Sequence, residues 1–140
     1  MKKTLFLASL LSAFVIFQSC EKETISEPRH PIDGLWIGTY NIEEALENGG
    51  SFYYSYFIRK DDSIQVQGQG ADGNTYYGIG TWDLQDSLFT ATITTTNFSQ
   101  TGVVQHVSAV YDKKNGILKD GRIESVGGFF LGSFQLRRTE

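Results

Sequence analysis

The sequence predicts an all-β domain, an eight-stranded antiparallel up-and-down barrel, on three observations. The chain has 140 residues, enough for one domain, and its 40% hydrophobic content with a net charge of only −4 excludes a disordered chain. Its many Gly, Tyr, Phe and Thr residues favour strands over helices. From Gly34 onward, short runs rich in aromatic and β-branched residues alternate with turn signals, which is typical of a β-meander.

The N-terminus carries an export signal. Lys2 and Lys3 precede an apolar run over residues 5–17, which is too short to span a hydrocarbon core of about 30 Å and is typical of a signal peptide. The single cysteine, Cys20, follows this run, with the small residue Ser19 directly before it. This arrangement resembles a bacterial lipoprotein signal. The resemblance implies a signal peptide over residues 1–19, cleavage before Cys20 and a lipid on Cys20.

An ordinary signal peptide with an incidental cysteine is the alternative interpretation. A lone cysteine cannot form an internal disulfide, and acylation gives an exported protein a reason to keep one. The acidic residues after Cys20 are also similar to signals that direct lipoproteins to the outer membrane. The sequence therefore predicts a lipid-anchored protein of the cell envelope.

Charge and composition divide the mature chain into a tether and a barrel. Loss of Lys2 and Lys3 leaves ten basic and sixteen acidic residues, a net charge of −6, which disfavours binding to nucleic acid and to anionic headgroups. Membrane association then depends on the lipid. Residues 20–33 are polar and without periodicity, so we expect an acylated, flexible tether there and a barrel domain over residues 34–140.

The strands follow from alternation between turn signals. No intervening segment is long enough for a crossover helix, so neighbouring strands should pair antiparallel. The predicted strands cover residues 35–42, 52–59, 63–69, 75–84, 87–96, 103–112, 117–125 and 129–137.

Side chains two residues apart share a face of a strand, which assigns an apolar face and a polar face. The polar face carries a Gln row on the third strand and a Thr row on the fifth. An apolar face of this size must be buried, and closure into a barrel buries it and removes the exposed edges. A two-sheet sandwich fits the same alternation and is the alternative fold. Glycines inside the strands permit the sharp coiling of a small barrel.

The first and last strands carry a family resemblance. Gly34-Leu35-Trp36 opens the first strand in the manner of the Gly-x-Trp signature of lipocalins and related barrels, and Arg137 ends the last strand. The resemblance implies that Trp36 plugs the closed end and that Arg137 packs across its ring. The chain lacks the C-terminal helix and the disulfide of lipocalins. It has only two tryptophans, too few for the biotin pocket of the avidins, which share Gly-x-Trp.

The strand order separates the two ends of the barrel. If the first strand runs from the closed end to the mouth, the connections at 43–51, 70–74, 97–102 and 126–128 lie at the mouth. The tight turns and the tether then lie at the closed end, and the mouth points away from the membrane.

The inward aromatic residues are the candidate ligand site. An eight-stranded barrel has room for its own side chains or for one small ligand. In one interpretation the rings form an apolar cup for a small hydrophobic molecule, with unfilled space beside Gly38, Gly78 and Gly80; in the other they fill the barrel, which then serves as a surface interaction module of the envelope. The predicted ligand-binding residues are Tyr40, Tyr54, Tyr56, Tyr76, Trp82 and Tyr111.

Catalysis and metal binding are not predicted. His30 lies in the tether and His106 on the polar face, each without a predicted nucleophile or carboxylate partner, and two distant histidines do not form a metal site. We therefore expect no enzyme activity and no cofactor. Asp-Ser-apolar tripeptides at Ser63 and Ser87 resemble bacterial O-glycosylation acceptors, although Asp-Ser is also a common turn opener.

Overall fold

The computed structural model describes residues 31–42, 50–96 and 101–139, which form a closed antiparallel barrel. The signal peptide, Cys20 and the tether up to His30 lie outside the described residues. Each strand pairs with its neighbours in the sequence, and the first pairs with the last. The strands are β1 (Gly34–Asn41), β2 (Ser51–Ile58), β3 (Ser63–Gln69), β4 (Thr75–Gln85), β5 (Leu88–Thr96), β6 (Thr101–Asp112), β7 (Ile117–Ser125) and β8 (Phe130–Arg138).

The predicted fold class is confirmed, and the sandwich alternative is wrong. Trp36 on β1 pairs with Tyr56 on β2 and with Arg138 on β8, which closes the sheet on itself. Strand ends agree with the predicted ones to within two residues. The closed barrel is favoured over the sandwich because each strand has one apolar face and all eight of these faces are buried together in a single interior.

The two faces of the wall alternate as predicted. On β5, Phe89, Ala91 and Ile93 are buried, whereas Thr92 and Thr96 are exposed. The glutamines of β3 are exposed as well. One continuous core fills the barrel, and its fully buried members include Trp36, Tyr54, Tyr56, Ile58, Ile64, Phe89, Ile93, Leu118 and Leu136.

The glycines do not leave empty space, which corrects the expectation from the sequence. A Cβ added to Gly38 would lie 2.0 Å from the carbonyl oxygen of Gln135, and one added to Gly80 would lie 1.9 Å from that of Thr92. At Gly78 it would lie 2.7 Å from a methyl group of Ile93. The neighbouring strand already fills these positions, so the glycines allow close approach of coiled strands.

Strand β7 breaks simple alternation. Leu118 and Gly121 are both buried although they are three residues apart, because the register shifts between them. Asp120, within this bulge, has a φ of 53°. A β-bulge of this kind adds a residue to one strand and increases its local twist, which changes the face of every later side chain.

Residues 31–33 belong to the barrel, so the predicted tether is too long at its C-terminal end. Ile32 is fully buried in the core. Its carbonyl oxygen accepts a hydrogen bond of 2.8 Å from Nε1 of Trp36, and the carbonyl of Pro31 accepts one of 2.8 Å from the Tyr111 hydroxyl. These contacts hold the segment across the closed end of the barrel.

The arginine at the closed end is Arg138, and the predicted role of Arg137 is wrong. Arg137 pairs with Ile37, an outward residue, and is exposed. Arg138 pairs with Trp36 and lies one residue later, so it follows the inward phase of β8. Its guanidinium donates to the carbonyl oxygen of Pro31 at 2.9 Å and to that of Asp33.

Candidate functional site

Aromatic rings fill the middle of the barrel. The ring centroids of Tyr54 and Tyr56 are 4.9 Å apart, and those of Tyr54 and Phe134 are 5.7 Å apart. The Tyr56 hydroxyl donates to the Tyr54 hydroxyl at 3.1 Å, so the two buried phenols satisfy each other. Tyr54 and Tyr56 are therefore residues of the core.

Trp82 and Tyr111 lie near the closed end. The indole N–H of Trp82 donates to the carbonyl oxygen of Arg59, which precedes the turn between β2 and β3, at 2.9 Å. Tyr111 packs edge-on against Trp36, with centroids 5.9 Å apart. Both tryptophans are thus at the opposite end from the mouth. A ligand in the mouth would contact neither indole ring.

A pocket opens at the mouth, and it includes two of the six predicted ligand-binding residues, Tyr40 and Tyr76. Its volume is about 260 Å³. We call it the mouth pocket; its lining residues are Tyr40, Ile42, Tyr76, Thr95, Val103, Gln105, Ile123 and Leu131.

The strands present these side chains at their mouth ends. Gln105 lies two residues before the buried Val107 on β6 and shares its face, and Thr95 lies two residues after the buried Ile93 on β5. Val103 lies directly opposite Thr95 in the β5–β6 pair. The pocket is therefore the upper continuation of the core face, where aliphatic and small polar side chains replace the rings.

The polar groups that the described residues contribute to the pocket are uncharged. The Tyr40 hydroxyl donates to the carbonyl oxygen of Gln69 at 2.9 Å, and the Thr95 hydroxyl donates to that of Val103 at 3.1 Å. Burial raises the pKa of Tyr40 and of Tyr76, so both phenols stay protonated at neutral pH. Among the residues that the structure describes, the lining thus combines apolar walls with a few hydrogen-bonding groups and carries no formal charge.

Six of the eight residues that line the mouth pocket were not among the predicted ligand-binding residues. Ile42 and Val103 belong to the predicted apolar faces, whereas Thr95, Gln105, Ile123 and Leu131 do not. Thr95 and Gln105 each lie two residues from a buried residue of the same face, Ile93 and Val107, but their polar side chains do not indicate an inward position. Ile123 follows the β7 bulge, and Leu131 adjoins a second register shift between β7 and β8. Alternation alone would have identified Thr95 and Gln105 as inward residues, whereas the register shifts hide Ile123 and Leu131.

The outer surface carries a larger groove at the closed end. It has a volume of about 670 Å³, and Leu35, Phe57, Arg59 and Arg138 contribute to its lining. Leu35 and Phe57 are paired across β1 and β2 and are 40% and 45% exposed. Unlike the mouth pocket, this groove mixes apolar and charged side chains on the outside of the wall.

The remaining candidates lie on the outer surface. His106 is exposed, as predicted, and its Nδ1 lies 3.2 Å from Oγ1 of Thr92 on the next strand. Across residues 31–42, 50–96 and 101–139, no three His, Cys, Asp or Glu side chains are grouped to hold a metal ion.

Both Asp-Ser tripeptides begin in turns at the closed end and run into the following strand. Asp62 and Asp86 have φ angles of 59° and 57°, which a short polar residue tolerates in a turn. The Ser63 hydroxyl donates to a carboxylate oxygen of Asp61 at 2.5 Å, and Ser87 is exposed. The geometry agrees with the turn interpretation, and glycosylation stays a prediction.

Comparison of the chain with protein families, with curated proteins and with solved structures found no match. In the part of the chain that the structure describes, no helix is long and apolar enough to cross a membrane.

Proposed function

We propose that the protein is a lipid-anchored lipoprotein of the outer membrane whose barrel binds a small, mainly apolar ligand in the mouth pocket. The observation that carries this proposal is the pocket itself, in which aliphatic walls surround a few uncharged polar groups. Small-molecule sites commonly have this composition, and the mouth of a β-barrel is a common place for them.

The placement of Pro31, the first described residue, supports the anchored arrangement. Pro31 lies at the closed end, and only ten residues separate it from Cys20. A lipid on Cys20 would therefore hold the closed end toward the membrane and leave the mouth pocket accessible from the other side.

Native mass spectrometry of the gently purified protein tests ligand binding. We expect an additional bound mass with the wild type and with Val104→Trp, and none with Val103→Trp. Val103 lines the pocket, whereas its neighbour Val104 faces outward, so the two variants differ in the location of the same added ring. Equal occupancy in both variants would place the ligand elsewhere, and its absence from all three proteins would favour the ligand-free alternative.

Palmitate labelling in cells tests the anchor. Cys20→Ser should abolish labelling and release the protein from membranes. A second variant that combines Cys20→Ser with Ser26→Cys keeps one thiol near the N-terminus but moves it away from the signal. Labelling of the second variant, or continued labelling of the first, would contradict acylation directed by the signal at Cys20.

A surface interaction module is the second candidate function, and the outer wall favours it. Leu35, Phe57 and Ile79 lie in one row across β1 to β4, separated only by Gln65, and Ile79 is 68% exposed. Exposed apolar side chains that are grouped in this way mark contact surfaces.

Photo-crosslinking tests this second function. A crosslinker at Ile79 should capture one envelope protein that a crosslinker at the exposed Arg122 of β7 does not capture. The purified partner should then bind the wild type but not Ile79→Lys. The same captures from both positions would exclude a specific contact through the row.

A further inference from the structure

We propose that the mouth pocket selects a neutral, ring-sized molecule that carries an N–H or O–H donor, and that it rejects fatty acids and other chain amphiphiles. This inference rests on the proposed ligand-binding function and specifies the chemistry of the ligand. It follows from three features of the pocket: its closed floor, its uncharged lining and the direction of its hydrogen bonds.

The floor of the pocket is formed by aromatic rings that pack against one another at an angle. The centroid of Tyr40 lies 5.5 Å from that of Phe52 and 5.2 Å from that of Tyr54. Below it, Tyr54 is fully buried against Phe134. The packed core begins directly under the pocket, so an alkyl chain that extended toward the closed end would have to displace buried rings. A long tail would therefore remain largely in water.

The volume suits one or two rings. An apolar cavity of about 150 Å³ in another protein holds benzene. The mouth pocket, at about 260 Å³, has room for a bicyclic ring or for a single ring with a short substituent.

The lining disfavours a charged ligand. No Lys, Arg, Asp or Glu is among the described residues that line the pocket. Tyr40 and Tyr76 remain neutral phenols, because burial raises their pKa. A carboxylate that entered would lose hydration without gaining a countercharge, which is unfavourable.

The directions of the hydrogen bonds in the pocket indicate which hydrogen-bonding group a ligand should carry. The Tyr40 proton is donated to the Gln69 carbonyl and the Thr95 proton to the Val103 carbonyl. Both hydroxyl oxygens keep lone pairs and so remain acceptors. The amide of Gln105 adds a further carbonyl acceptor, and its NH2 group is a donor. A ligand with an N–H or O–H group is therefore complementary to this lining.

Isothermal titration of the full chain with four related probes tests the inference. Indole has the ring and the donor, 1-methylindole lacks the donor, indole-3-acetate adds a negative charge, and decanoate is a chain amphiphile. We expect indole to bind and 1-methylindole to bind about three- to tenfold more weakly, the equivalent of one hydrogen bond. Indole-3-acetate and decanoate should show no binding. Val103→Trp should abolish indole binding, whereas Val104→Trp should preserve it.

The outcomes separate this inference from the proposed function. Decanoate or indole-3-acetate binding that Val103→Trp removes would overturn the inference while leaving the mouth pocket as a ligand site. Equal affinities for indole and 1-methylindole would overturn the requirement for a donor. Failure of indole to bind would overturn the inference altogether, and the co-purified mass in the wild type and the Val103→Trp variant would still decide the proposed function.

Discussion

Replacement of Ile32 by alanine tests whether residues 31–33 are part of the folded barrel. Ile32 is fully buried in the core, and its carbonyl oxygen accepts the indole N–H of Trp36. Truncation of a buried isoleucine to alanine costs about 2–5 kcal/mol, because transfer energy is lost and a cavity remains. A residue of a flexible tether would cost nothing measurable.

Urea unfolding of the full chain measures this difference. With a slope of about 2 kcal/mol per molar urea, Ile32→Ala should lower the midpoint by about 1–2.5 M. Ile79→Ala is the matched control, because Ile79 is 68% exposed and should change stability by less than about 0.5 kcal/mol. Equal midpoints for the two variants would refute the assignment of residues 31–33 to the barrel.

Three further predictions concern the closed end, the core and the wall. Arg138→Ala should destabilise the barrel by about 1–3 kcal/mol in urea unfolding, because the carbonyls of Pro31 and Asp33 at the closed end lose a charged donor. Arg137→Ala should cost less than about 0.5 kcal/mol, and the reverse order would contradict the assignment. Burial raises the pKa of Tyr54 and Tyr56, so the contribution of the two neutral phenols to stability is complete below about pH 10. Above that pH each phenol's contribution is lost at up to about 1.4 kcal/mol per pH unit. A free energy of unfolding that stays constant between pH 10 and 12 would exclude this contribution. Gly80→Ala should lower the melting temperature, because the added methyl group overpacks the contact with β5 at a cost of about 1–3 kcal/mol. An unchanged melting temperature would show that β5 can shift to make room at little cost.

The fold could be predicted because it depends on periodicity, which the sequence displays directly. Alternation on β5 and the turn at Asn115-Gly116 need no knowledge of distant residues. The phase of β8 was harder to predict. Arg137 and Arg138 are adjacent, and only the pairing of Arg138 with Trp36 identifies the one at the closed end.

The candidate site was less predictable because it depends on volume. The sequence indicates that rings point inward, but it does not indicate which rings meet. Gly78 illustrates the difficulty, since the space expected beside it is taken by a methyl group of Ile93 from the next strand. On β7, the bulge at Asp120 moves Ile123 to the inner face, and no local sequence pattern predicts that bulge.

The position of the mouth pocket follows from the sizes of side chains along β5 and β6. Toward the closed end, Phe89 contributes a ring to the core, whereas at the mouth end Thr95, Val103 and Gln105 are smaller or polar. At any height along its axis, the interior of an eight-stranded barrel is wide enough either for packed side chains or for a small ligand. The lower levels are used for packing and the top level is left open, so the residues that stabilise the fold and those that line the pocket are largely different. Tyr40 belongs to both sets, because its ring is the floor of the pocket and the upper layer of the core.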